Sequence, residues 1–283
     1  MKKKTKLTVL IIGFGIATGI VLYPLIANIY NNYVESQMIA NYEETISTID
    51  ESEYDLMIEE AQIWNQELYG YVGISYFSSE MNKNEIYESL LNLNGDGMMG
   101  YIIIPSIDVN LPIYHYSTDD VLLLGAGHME DSSLPVGGET THCVITAHRG
   151  LPSATMFTDL DKVEIGDVFY LKILNQTLCY EVISIEEVDP EETSSLVPVE
   201  GEDLCTLVTC TPYGVNSQRM LVTGTRVETE EEVSTSDTSA VAKAIKSNFI
   251  LVIILFVELF AFILMLVSIL KMDLNNTQRT VYR

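Results

Sequence analysis

Two apolar runs, one near each end of the chain, limit what this sequence can become. Leu7–Ala27 carries no charged residue and, at about 20 residues, is long enough to cross a bilayer as a helix. Lys2, Lys3, Lys4 and Lys6 stand before it, so the positive-inside rule predicts a cytoplasmic N-terminus. The competing reading is a signal peptide cut near Ala27. The run exceeds a usual h-region of about 7–15 residues, which favours an uncleaved anchor. Phe249–Leu270 is a second run of bilayer length, with Lys271, Arg279 and Arg283 beyond it and Lys243 and Lys246 before it. Two spans with both ends inside predict a cell-membrane protein whose intervening residues lie outside the cell.

Charge narrows the partners of that outer segment. Of 15 Lys+Arg and 40 Asp+Glu in 283 residues, eight basic and 38 acidic residues lie between the two runs, a net charge of −30. Such a surface repels phosphate backbones, so nucleic-acid binding is not expected. Glu258 lies inside the second run, where a carboxyl facing lipid is costly; a protonated side chain or a helix–helix contact accounts for it as well as a function does.

Four cysteines outside the cell raise the question of disulfides. Cys205 and Cys210 are five residues apart; on one strand they point to opposite faces and cannot bridge each other. A Cys143–Cys179 or Cys143–Cys205 bridge stays open, beside the simpler reading of Cys143, Cys179 and Cys205 as small buried apolar side chains. The four His (115, 128, 142 and 148) have no zinc-ligand spacing, and no metal or cofactor is expected.

Between the runs the texture changes once. Residues 31–69 place Ile46, Ile49, Leu56, Ile58, Ala61, Ile63, Trp64 and Leu68 at loosely helical spacing, which predicts one or two amphipathic helices. Tyr69–Phe77 reads as loop, and Glu85–Leu93 as a short helix. From residue 98 the chain breaks into β-rich runs: Gly100–Ile104, Val109–His115, His142–Ala147, Val168–Ile173, Leu178–Glu186, Leu204–Thr209 and Met220–Val227. Turn residues separate them, which predicts seven or eight short strands in a sandwich or barrel. A helical interruption is expected at Ala154–Leu160, and a loop with a helical turn over Asp189–Asp203. The resulting division is a tail and span (1–30), a helical and lid-region segment (31–94), a β domain (95–227), an acidic Ser/Thr-rich linker (228–247) and a second span with its tail (248–283).

One constellation in the β domain carries chemistry. Cys210 ends the β-branched run that precedes Pro212 and Gly214, and Arg219 opens the next. His148 likewise stands where a β-branched run meets Gly150 and Pro152. A thiol attacks as thiolate, and a neighbouring His or Arg helps supply it. An imidazolium protonates a leaving amine, and a cation with backbone N–H groups holds an oxyanion. Singly these residues are ordinary core or surface positions; their co-occurrence favours acyl transfer, which spacing alone does not settle.

The literal residues sharpen this. Thr206-Leu-Val-Thr-Cys210 matches the TLxTC signature of sortases, the membrane-anchored cysteine transpeptidases of Gram-positive bacteria. Gly95–Pro105, Leu111–His115, Gly127-His128 with Ser133–Gly138, Thr146–Pro152 and Cys210–Arg219 resemble further family segments. With two spans, the chain looks like a class C, pilin-polymerising sortase. The resemblance implies an eight-stranded sortase-type β-barrel. It makes Cys210 the nucleophile, His148 the general acid/base and Arg219 the substrate and oxyanion clamp, with His128 structural. Arg149 and Thr209 are groove candidates. Class C members usually carry a lid with an Asp-Pro-aromatic triplet; the nearest material in this chain is Ser75-Tyr76-Phe77, so either Tyr76 or Phe77 caps the groove without the Asp–Arg contact, or there is no closed lid. The implied partners are secreted proteins with LPxTG-like sorting signals, pilin subunits with an acceptor lysine, and the bilayer. Anchoring of single proteins to the cell wall and a non-catalytic pilus-assembly scaffold are the alternatives.

Overall fold

The computed structural model describes residues 3–70, 80–228, 253–254, 256–265, 267 and 269. The chain divides into two compact units, one of Met1–Asn32, Pro152–Ala154 and Thr238–Arg283, the other of Tyr33–Leu151 and Thr155–Asp237.

In the first unit, helix α1 (Lys3–Ile46) begins. Among the described residues it is the one helix long and apolar enough to cross a membrane, and Phe256–Met265 is a shorter apolar helix. Phe14 of α1 stacks on Phe262 with ring centroids 3.8 Å apart. The predicted second span is thus described only in part, and the linker from residue 229, like Tyr76 and Phe77, lies outside the described residues.

The second unit is built on a closed eight-stranded barrel. Its strands are β1 (Met98–Ile104), β2 (Val109–His115), β3 (Ala126–His128), β4 (Thr141–Thr146), β5 (Val168–Ile173), β6 (Gln176–Val188), β7 (Asp203–Thr211) and β8 (Gln218–Val227). Around the barrel they run β1-β2-β3-β4-β7-β8-β6-β5. Two neighbouring pairs are parallel, β2 with β3 and β4 with β7, and the rest are antiparallel. Closure leaves no open sheet edge to pair with another chain. Ile102, Ile104, Ile113, Ile145 and Phe157 are among the largest fully buried side chains.

All seven β1 residues are buried, where a sheet with one wet face would alternate. The cause is α1, whose later half covers that side: Ile39 and Tyr42 join Met98, Tyr101, Ile103, Tyr114, Tyr170 and Cys179 in one apolar cluster. The Tyr42 hydroxyl donates to the Met99 carbonyl at 2.8 Å and accepts from the Leu174 N–H at 2.9 Å. Gly100 is required by the same crowding, because a Cβ there would sit 2.2 Å from the Lys172 carbonyl oxygen.

The segment expected to hold one or two helices contains the end of α1 and helix α2 (Glu51–Gly70). Tyr54 braces the corner by donating to the carbonyls of Ile46 and Ile49. Asn65 of α2 pairs its amide with Leu134, donating to the carbonyl at 3.1 Å and accepting from the N–H at 2.7 Å. Helix α3 (Glu80–Ser89) follows. Its Tyr87 is buried and donates to His128 Nδ1 at 2.8 Å, while His128 Nε2 donates to the Ser133 carbonyl at 2.9 Å. His128 is fully buried and serves as packing.

Two expectations require correction. Ala154–Leu160 is not a helix: it is a run of turns ending in a 3-10 turn, Leu160–Lys162. Met156 there takes φ +45°, which an α-helix does not accommodate. The three-residue strand β3 is absent from the expected set, because Ala-Gly-His carries no β-branched or alternating pattern.

Candidate active site

β7 and β8 form the frame of the site. Their antiparallel register sets Cys210 directly opposite Arg219, and directly opposed residues project to the same face of a sheet. Pro212 ends β7, and Gly214 (φ +74°) and Asn216 (φ +60°) turn the chain back. The N–H groups of Val215 and Asn216 both donate to the Pro212 carbonyl at 3.0 Å, so the loop between Cys210 and Arg219 is tightly wound.

β4 brings His148 to the same place. Its parallel register with β7 runs from Thr141 opposite Asp203 to Thr146 opposite Val208. The Ala147 N–H extends the ladder by donating to the Val208 carbonyl at 3.2 Å, and the Thr209 hydroxyl donates to the Ala147 carbonyl at 2.8 Å. His148 follows Ala147 directly, two residues past the last β4–β7 pair, Thr146 with Val208, as Cys210 is two residues past Val208. The far side of His148 is fixed by the Phe157 N–H, which donates to its carbonyl at 3.0 Å.

The exposures suit the chemistry. Cys210 and His148 are half-buried, whereas Cys143, Cys179 and Cys205 are buried. All four cysteines are free. Cys143 stands opposite Cys205 on the same β4–β7 ladder, five residues before His148 and Cys210 respectively. Burial pushes the Cys205 thiol well above its ordinary range, which keeps it protonated. Arg219 Nη1 donates to the carbonyls of Gln218 at 3.1 Å and Asn216 at 3.5 Å, bonds to neutral acceptors that a more negative oxygen would outcompete.

The side chains of Thr209 and Arg149 are buried and bonded within the protein. Thr209 is 1% exposed and braces β7 against β4 from inside the wall. The Arg149 side chain is 6% exposed and turns inward, with Nη1 donating to Thr211 Oγ1 at 3.2 Å and Nη2 to the Asp161 carboxylate. Conversely, Tyr213 and Val215 in the β7–β8 loop are 61% and 70% exposed, apolar surface at the rim that was not singled out from the sequence. The signal was present, since both lie between Pro212 and Asn216 in the turn. Among the described residues no group of three His, Cys, Asp or Glu could hold a metal ion.

Comparison with known proteins points to one family. Residues 102–227 match the family model for the sortase domain. The chain is 30% identical to sortase A of Bacillus anthracis over 139 residues, which is 49% of this chain and 64% of that protein. It is 30% identical to sortase D of Bacillus subtilis over 131 residues, 45% of this chain and 63% of that protein. The aligned part therefore spans just under two thirds of these relatives. Among solved structures, sortase C1 from Streptococcus agalactiae is 41% identical with a TM-score of 0.65, covering 69% of this chain and all of that one. Streptococcus pneumoniae sortase C is 40% identical with a TM-score of 0.59, covering 70% of this chain and 100% of that chain. Sortase C-1 from Actinomyces oris is 45% identical with a TM-score of 0.55, covering 61% and 99%. With the closed barrel, the TLVTC strand end and matches across the whole length of solved sortases, the chain belongs to the sortase family.

Proposed function

We propose that this chain is a class C sortase that polymerises pilin subunits through a thioacyl-enzyme. The observation that carries the reading is the register that sets Cys210 opposite Arg219, with His148 two residues past the end of the adjacent β4–β7 ladder. The likeness to sortase C structures supports the class, one of them being described for its pilin substrate specificity.

In this reading Cys210 Sγ, as thiolate, attacks the carbonyl carbon between Thr and Gly of a Leu-Pro-x-Thr-Gly-like sorting signal. Negative charge develops on the carbonyl oxygen, and Arg219 leaves its own loop carbonyls to meet it. His148, as imidazolium, gives its proton to the departing Gly nitrogen, because an amine leaves poorly as an anion. The tetrahedral intermediate collapses to a thioester on Cys210. The neutral amine of an acceptor lysine then attacks the thioester, His148, now neutral, takes the proton that its nitrogen sheds, and the thiolate departs, which restores the starting thiolate–imidazolium pair. The bond formed is an isopeptide.

Two spans would hold the domain outside the cell and on the surface to which its substrates are tethered, raising their effective concentration. The Phe14–Phe262 stack between two apolar helices supports the second span. Attachment of single proteins to the cell wall would use the same acylation with another amine.

The test is intact-mass spectrometry of the detergent-solubilised full chain after incubation with a Leu-Pro-x-Thr-Gly peptide. An acyl adduct on the wild type, absent from Cys210→Ala, is expected. Adding a lysine-bearing pilin fragment then discharges the adduct with formation of the isopeptide. An adduct that persists in Cys210→Ala, or no adduct on an enzyme whose Cys210 alkylates freely, overturns the reading.

A further inference from the structure

We propose that Arg149 is a positioning residue that holds His148 in register with Cys210; this rests on the active-site reading above. Arg149 follows His148 directly, yet its side chain faces inward and is 6% exposed. Burying a guanidinium is costly unless partners replace water; Nε finds no hydrogen-bond partner among the described residues, and the partners of the two terminal nitrogens hold the side chain. Nη1 donates to Thr211 Oγ1 at 3.2 Å, on the residue after Cys210. Nη2 donates to Asp161 in the 3-10 turn that follows the His148 loop. Cζ lies 6.0 Å from the Tyr213 ring centroid, within cation–π reach.

Thr211 passes the linkage on, its hydroxyl donating to Glu187 Oε1 at 3.1 Å. Glu187 precedes Val188, which pairs with Arg219 across β6 and β8. One side chain thus ties the His148 loop to the end of β7 and, through Thr211, to the strand beside Arg219.

A parallel β4–β7 ladder alone does not fix His148, which lies beyond its last hydrogen bond. The Phe157 N–H bond to the His148 carbonyl and the Gly150 N–H bond to Thr158 Oγ1 at 3.0 Å tether the loop to the turns that follow it, and neither reaches the end of β7. Arg149 supplies the missing constraint, and its planar fork reaches Thr211 and Asp161 at once, which a lysine ammonium on a flexible stem does not reproduce. Asp161 and Glu187 are the charged groups in this network, and Asp161 is 41% exposed, so losing Arg149 leaves a carboxylate that water can solvate.

The experiment compares full-length wild type, Arg149→Lys and Arg149→Ala in detergent, with Cys210→Ala as the labelling blank. Three quantities are read: the pH profile of Cys210 alkylation by iodoacetamide, kcat and KM for cleavage of a Leu-Pro-x-Thr-Gly peptide, and the thermal unfolding midpoint. Arg149→Lys is expected to lower kcat by roughly 10–100-fold with KM within about twofold, the scale on which a misplacement of about 1 Å acts. Its alkylation profile shifts while the midpoint stays within a few degrees. An unchanged alkylation profile in both variants overturns the proposal, as does a loss of rate that follows the unfolded fraction. A wild type that alkylates but never cleaves removes the proposed function instead, and the alkylation profiles still decide the role of Arg149.

Discussion

Cys210 and Arg219 are cross-strand partners one pair before the end of the β7–β8 ladder, so the backbones that carry the thiol and the guanidinium are held by the sheet. A loop-borne cation would have to be ordered at each turnover; this one is placed when the barrel closes. The cost of ordering is met in folding.

Arg219→Ala is therefore expected to lower kcat/KM for peptide acylation by about 10²–10³-fold, the usual loss when an oxyanion donor is removed. Arg219→Lys recovers part of it. Alkylation of Cys210 by a small neutral reagent, which builds no oxyanion, changes far less. Parallel acylation and alkylation rates check this, and an equal loss in both would assign Arg219 to thiolate formation.

The other three thiols are expected to be silent. Cys143, Cys179 and Cys205 are at most 2% exposed and unbridged. A brief pulse of alkylating reagent on the native protein should add one label, lost in Cys210→Ala, and the same reagent in denaturant should add four. A non-reduced mass two hydrogens short with two labels missing would reveal a bridge, and the Cys143–Cys205 pair is where it would form.

Acid should weaken the fold before the carboxylates titrate. His142 is 1% exposed, with Nδ1 3.1 Å from the Val197 carbonyl and Nε2 2.7 Å from Thr206 Oγ1. Burial lowers its pKa from the ordinary 6.5, and burial lowers that of His115 as well. As pH falls through about 6.5, the unfolded chain binds protons that the native chain refuses. Stability is thus full above that value and declines on acidification towards the lowered native values, by up to about 1.4 kcal/mol per pH unit for each histidine. Urea midpoints between pH 7.5 and 5.5 measure the slope. His142→Asn, which keeps a donor for Val197, should flatten it; an unchanged slope would mean that His142 takes up its proton in the native state.

Gly100→Ala should be destabilising out of proportion to one methyl. The added Cβ meets the Lys172 carbonyl at 2.2 Å and Ile173 Cδ1 at 2.5 Å, and the first is backbone in the neighbouring strand β5, which cannot swing aside. A cost of about 1–3 kcal/mol or more is expected, read as a fall in the unfolding midpoint. A substitution without effect would mean that β1 and β5 separate freely at this point.

Much of the barrel was legible in the chain because each strand is a local pattern. Val109–His115 and Val168–Ile173 have the same limits in sequence and structure, since turn residues punctuate both ends. β3 was not legible: its Ala-Gly-His is a strand only because β2 and β4 lie on either side of it. Thr209 and Arg149 read as groove candidates from their places beside Cys210 and His148. Their inward direction depends on Ala147 and on Asp161 and Thr211, which no local pattern announces.

The sequence by itself determined the reactive residue types, the turns that halt their strands, the acidic surface and the apolar runs, because each depends on neighbours within a few positions. Only the tertiary structure decided that β4 runs parallel to β7. That pairing joins residues 62 positions apart, from Thr141 with Asp203 onward, and its register is selected by which faces the closed barrel can bury, a property of all eight strands together.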